Sequence, residues 1–273
     1  MDEVNPSLQT ASDLWRQLAI IVAAPLIWLA SSLWLFIGSA RSQSEFSDLS
    51  LNLLVPQTFA FAIWFPIFVG IIAFGCLQSL RVNRTRNVFR KSGWWIAAGL
   101  WGIVAWGLIT AFAPDSSVET LASMIFLPTM IALVIGMTRL HQNRHKLDPI
   151  ERVLILWPIS LIAGWCSLAF FVGLNGLVWS FVEPLGWNSV WTALAVLSLA
   201  LTWIIMVVKT CGSNSAYLFP AIWGLFFLTL RHLADDGNDL LAILSISGII
   251  ILTALSAPKL FKVLAPSSQL SGS

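Results

Sequence analysis

From Leu49 to Leu80 this chain carries no charged side chain, and Phe59–Leu80 within it is twenty-two residues of almost unbroken apolar sequence. A helix of that length, rising 1.5 Å per residue, crosses the ~30 Å hydrocarbon core of a bilayer. The core helices of soluble domains do not need so long a run. Inside it Phe61, Trp64 and Phe68 fall at i, i+3 and i+7 and so share one helix face. Lipid gains nothing from aromatic rings at mid-depth, so a stripe of this kind faces a neighbouring helix or a flat ligand. Packing between helices is the commoner reason, because ligand pockets are few in any one protein.

The pattern recurs along the chain. Candidate spans are Leu18–Ile37, Phe59–Leu80, Trp94–Pro114, Leu121–Met137, Val153–Leu174, Val190–Val208, Tyr217–Leu230 and Leu240–Pro258. Charged residues make up 10% of the sequence, against roughly 25% in soluble domains, so most of the chain does not face water. The expected fold is an all-α, polytopic transmembrane bundle of about eight spans. Seven remain if Tyr217–Leu230, which Arg231 and His232 end abruptly, fails to cross.

With the N-terminus in the cytoplasm and eight alternating spans, thirteen of the fifteen lysines and arginines fall on the inner side. Only Arg41 and Arg231 fall outside. That asymmetry places both termini in the cytoplasm. The opening MDEVNPSLQTASDLWRQ is polar and acidic, which is unlike a cleaved signal, and the first span is expected to be retained. Residues 1–17 then read as a cytoplasmic segment, 18–180 as a five-helix core, 181–262 as three further membrane helices and 263–273 as a flexible tail.

Fifteen tryptophans divide by position. Trp15, Trp34, Trp94, Trp95, Trp179, Trp187 and Trp191 lie at or beyond span ends, where indole suits the wet interface. Trp28, Trp64, Trp101, Trp106, Trp165, Trp203 and Trp223 lie deep, and Trp157 falls between the two groups. A deep indole N–H has to find an acceptor or lose ~1–3 kcal/mol. The deep set is therefore expected to point inward, toward other helices or a cavity. Gly99, Gly102 and Gly107 in the third span, with Ala163, Gly164 and Gly173 in the fifth, allow the close helix approach that either arrangement needs.

On these residues the chain resembles the tryptophan-rich sensory protein or translocator protein family (TspO/MBR-related). Pro56 is followed eight residues later by Trp64 and twelve later by Phe68, the family's second-span spacing with Phe in place of Tyr. The family's phenylalanine stands one place away at Phe61, and Gln57–Thr58 replace its Gly-Trp pair. Trp106 matches the tryptophan of a third-span Trp-Ser-x-x-Phe pattern, and Ile103 replaces the asparagine before it. Trp165-Cys166-Ser167-Leu168-Ala169 fits a Trp-x-Ser-x-Ala pattern in the fifth span, with Asn175 two residues beyond the family's asparagine. The resemblance spans about residues 18–180. It implies a sensory or regulatory protein of a bacterial inner membrane that binds a flat apolar ligand such as a tetrapyrrole.

Other chemistries are weakly marked. No ionisable residue lies inside the first six spans, which argues against ion-coupled transport. Nucleophile, phosphate-loop and HExxH motifs are absent. His141 and His145 stand four apart in a basic loop, HQNRHK, where solvation or headgroup contact is a better account than a shared metal. Asp235, Asp236 and Asp239 spell the DDxxD string of prenyl-transferring enzymes, but no second acidic cluster accompanies it. A turn whose acids sit at the positive end of the eighth helix explains those residues better. The cysteines at 76, 166 and 211 form no metal or disulfide pattern.

The expected site is an aromatic cavity among spans two, three and five. Phe61, Trp64 and Phe68 form one wall, with Trp106 and Trp165 opposite. No catalytic residue or metal is expected, a tetrapyrrole or other apolar ligand is the one cofactor candidate, and the expected partners are lipids and an apolar small molecule, not nucleic acid. A homodimer is compatible with this site; the alternative is a structural or assembly subunit of a larger membrane complex, with the outward tryptophans meeting pigment or partner helices.

Overall fold

The computed structural model of the chain describes residues 9–47, 52–113, 117–212, 214–234 and 237–264. Among the described residues there are eight long helices: α1 Ala11–Ser31, α2 Trp64–Ser79, α3 Asn87–Ala111, α4 Ser117–Gln142, α5 Trp157–Val182, α6 Ser189–Cys211, α7 Ser215–His232 and α8 Asp239–Leu264. No strand occurs among the described residues. Among the described residues seven stretches are long and apolar enough to cross a membrane; the eighth long helix, α7, does not meet that test. At eighteen residues α7 measures about 27 Å.

Local sequence sets where these helices begin and stop. Thr10 and Asp13 form a reciprocal capping box, so α1 begins at Ala11, seven residues before the apolar run expected from Leu18. It also ends early, at Ser31, and a short 3₁₀ turn, Leu33–Leu35, follows. Ahead of α2 the chain winds as a 3₁₀ helix, Thr58–Ile63. Because α2 proper starts at Trp64, Pro66 falls in its first turn, where a missing N–H costs little. A five-residue π-helical stretch, Arg152–Leu156, precedes α5, beside Pro158, which has no N–H to continue the α pattern. Gly212, at φ +77°, ends α6 in a conformation that strains side-chain-bearing residues.

Contacts sort the connections onto two ends of the bundle. At one end Arg16, buried at the start of α1, donates to Asp13 at 3.2 Å and to the Arg84 carbonyl at 2.6 Å. Arg90 of α3 also donates to Asp13, at 2.9 and 2.6 Å. Arg86 bonds Glu151 ahead of α5, Arg139 of α4 donates to the Lys91 carbonyl, and Thr138 meets Cys211 at the end of α6. At the opposite end Arg41 bonds the carbonyls of Ala111 and Ala113, while Arg231 and His232 reach the loop at 52–55. Helix α7 leaves the first end beside Cys211 and finishes at the second. It therefore traverses the bundle despite its length, and the alternation read from the charges is reproduced by the packing.

Close helix contacts rest on small residues. A Cβ on Gly99 or Gly136 would run into Leu133 or Ile96 across the α3–α4 contact. One on Gly164 of α5 would collide with the Tyr217 carbonyl oxygen of α7, a backbone atom. Two deep tryptophans do not point inward: Trp28 and Trp101 are 44% and 41% exposed on the outer surface of the bundle. Trp101 manages this because its N–H turns back to the Ala19 carbonyl at 3.1 Å while the ring stays outside. His141 also departs from the solvated loop expected for it. It is buried in the last turn of α4, whereas His145 is exposed on the following 3₁₀ turn, Arg144–Lys146, so the pair shares no helix face.

Gly164→Ala should lower stability by about 1–3 kcal/mol, because the obstructing atom belongs to backbone held by two helices. Thermal unfolding in detergent against Gly38→Ala, at a glycine with nothing within 4 Å, checks this. Equal melting temperatures would show that α5 and α7 do not meet as described.

Candidate functional site

The 3₁₀ geometry ahead of α2 has a direct consequence for its aromatic residues. With three residues per turn, side chains at i and i+3 lie above one another. Phe61 and Trp64 accordingly present themselves to the same ring, Trp165 of α5, each edge-on at 84° with centroid distances of 6.1 and 6.3 Å. Beyond the switch to α-helix, Phe68 stacks on Trp64 at 5.3 Å and 22°. Trp106 of α3 lies nearly parallel to Trp64 at 6.4 Å and 21°. Phe126 of α4 closes against Trp106 edge-on at 4.8 Å. Each arrangement is one of the offset or edge-to-face geometries favoured by ring quadrupoles.

These rings enclose a cavity of about 80 Å³. Its walls are Phe61, Trp64, Trp106, Phe126 and Trp165, completed by Ala122, Leu168, Ala169, Val172 and Gly173. Phe46, Val55 and Pro56, from the connector between α1 and α2, complete it at the Arg41 end. Four of the five residues expected from sequence therefore meet around one space. Phe68 is not among the lining residues; it stacks against Trp64. Sequence reasoning missed Phe126, because α4 carries no motif, and Phe46, which sits in a short helix, Gln43–Ser47, flanked by charge and serine. Every lining side chain is apolar except for three indole N–H groups.

The connector is fixed by polar contacts around its edges. In the short helix the Ser42 amide and hydroxyl exchange hydrogen bonds with Glu45, which holds its carboxyl below the usual range and sets Phe46 in place. Asn52, buried, donates to the Val172 carbonyl at 2.7 Å and accepts from Leu54 N at 2.9 Å and Asn175 Nδ2 at 2.7 Å. Arg231 donates to the Asn52 and Val55 carbonyls, and His232 Nε2 donates to Leu53 O at 2.8 Å. Pro56 is the common wall between the aromatic cavity and a more polar crevice of about 500 Å³ formed with Gln57, Thr58, Phe59 and Arg231.

A family model described as TSPO-like protein matches residues 14–257. The chain belongs to the TSPO-like family. The match takes in all eight helices of this TSPO-like protein, from α1 into the second half of α8. No curated protein and no solved structure matches it. The chain is thus a tryptophan-rich, integral membrane protein of that family.

The lining chemistry suits a flat apolar ring. Size sets a condition on the tetrapyrrole that the family resemblance implied, since pockets for drug-sized ligands run to roughly 300–1,000 Å³. A macrocycle would have to displace part of the wall or of the connector. Among the described residues no group of three or more His, Cys, Asp or Glu is placed to hold a metal ion. Asp235 and Asp236 lie outside the described residues, and Asp239 sits in the first turn of α8.

Asn52→Ala removes three hydrogen bonds that hold the connector. Amide exchange at residues 52–57 should accelerate by about tenfold or more, as expected for losing ~1–3 kcal/mol of local stability. Unchanged exchange by mass spectrometry would mean that the connector is held elsewhere.

Proposed function

We propose that this TSPO-like protein binds a flat, predominantly apolar small molecule in the aromatic cavity between α2, α3, α4 and α5, and serves a sensory or regulatory role rather than a catalytic one. One observation carries the reading: four aromatic residues singled out by family-like spacings, drawn from three helical segments, converge with Phe126 on a single cavity. No lining side chain is ionisable or nucleophilic, which suits recognition and offers no group for catalysis. The thirteen-to-two distribution of basic residues supports an orientation with the cation-rich end in the cytoplasm. In a bacterial inner membrane the connector and cavity would then face the outer side, and a ligand would arrive from there.

A porphyrin titrated into the protein in nanodiscs should quench tryptophan fluorescence with saturation. Trp64→Leu keeps an apolar side chain but loses stacking on Phe68 and Trp106, and should weaken binding by about tenfold. Equal quenching by wild type and variant would remove Trp64 from the site, and quenching without saturation in the wild type would defeat the binding reading.

A further inference from the structure

Beside the aromatic cavity lies a second, much smaller one, of about 10 Å³, in the seam where α5 meets α6 and α7. Phe171 of α5, Leu197 and Ala200 of α6 and Leu228 of α7 contribute to its walls, and none of its lining side chains carries a polar group. The two cavities share three residues, Pro56, Leu168 and Val172. Leu168 and Val172 stand at i and i+4 on α5 and so form one ridge along that helix. Trp165 and Ala169 line the aromatic cavity only, and Phe171 lines the second cavity only. The ridge is thus the part of α5 that borders both spaces.

Leu168, the larger of the two ridge side chains, is seated from across the seam. It is buried, and a Cβ on Gly224 of α7 would overlap its Cδ2 methyl, so that methyl rests where any other residue would begin its side chain. A void lined only by apolar groups stays dry and gains from an apolar occupant, because its walls lack contacts on the empty side. Each methylene taken from water into such a place contributes roughly fourfold in affinity. A side chain that denies room to three or four carbons therefore discriminates between ligands by about tenfold or more.

We propose that Leu168 is a specificity-determining residue: its side chain closes the aromatic cavity on the α7 side, so that a compact flat ring is accepted and an alkyl arm attached to that ring is kept out of the seam between α5, α6 and α7. The inference rests on the binding reading above and adds to it the residue that limits ligand length.

Naphthalene and 2-butylnaphthalene, which differ only in the arm, test this. Binding is measured by equilibrium dialysis with the protein in nanodiscs, referred to free aqueous probe and corrected for partition into empty nanodiscs. In the wild type the butyl arm should improve affinity by less than about twofold. In Leu168→Ala, which removes three carbons from the ridge, it should improve affinity by about tenfold or more, while naphthalene itself stays within about threefold of its wild-type value. Leu168→Ala also takes a buried side chain out of the core, so Val172→Ala serves as a milder opening of the same ridge and should give a severalfold gain. Leu197→Ala widens the second cavity behind an intact ridge and should keep the wild-type ratio. A ratio unchanged by both ridge variants, a full gain already present in the wild type, or an equal gain in Leu197→Ala would each overturn the assignment of Leu168. Failure of naphthalene to bind the wild type saturably would instead count against the binding reading on which the assignment rests.

Discussion

An indole N–H has one proton to offer, and inside hydrocarbon there is no water to take it. The interior arrangement of this protein turns on that constraint. Where a helix crossing supplies a carbonyl or hydroxyl, the tryptophan is spent on structure: Trp223 ties α7 to the 3₁₀ turn ahead of α2, and Trp203 ties α6 to Ser167 of α5. The same Ser167 accepts from the buried Tyr217 hydroxyl of α7 at 3.0 Å, so one hydroxyl joins three helices. Around the cavity the helices provide rings in place of acceptors. Contacts with Phe68, Trp106 and Phe126 fix the orientation of the rings, and the buried Trp64 N–H is left unmet.

The second constraint is that a cavity in a membrane bundle needs a cover that does not expose unpaired backbone to lipid. Here the cover is a loop, and its carbonyls at Asn52, Leu53 and Val55 are met by Arg231 and His232 at the end of α7. This explains why a helix as short as α7 ends so abruptly in two polar residues. Its last turn serves as an anchor for the connector, and its length is fixed by the distance from Cys211 to that loop. The Asn52–Asn175 pair does the same work from α5.

Span number and order were legible because lipid enforces both a minimum length and an absence of charge, and sequence records both directly. Helix ends were less so. The apolar run marks where lipid contact begins, whereas the Thr10 capping box marks where the helix begins, and at α1 the two differ by seven residues. At the site, Trp64, Trp106 and Trp165 could be singled out because family-like spacings distinguish them within apolar runs. Phe46 and Phe126 could not, since each reaches the cavity only through packing between segments distant in sequence. Depth alone also failed to predict direction for Trp28 and Trp101. Trp101 stays outside with its N–H on the backbone carbonyl of Ala19 in α1, a group that leaves no mark in the residue type.

The same geometry gives the proposed function a mechanical route. A ligand too large for about 80 Å³ has to displace either an aromatic wall or the cover. The walls are locked by ring contacts in a packed interior, where there is no spare volume to move into. The cover is held by individual hydrogen bonds, each worth ~0.5–1.5 kcal/mol net, and by the burial of Phe46, Leu54 and Val55. Lifting it breaks the contacts to Arg231 and His232 and frees the end of α7, which packs against both α5 and α8. On this reading, occupancy of the cavity is felt at α8, on the far side of α7 from the ligand, through a loop and a helix end and without rearrangement of the aromatic core.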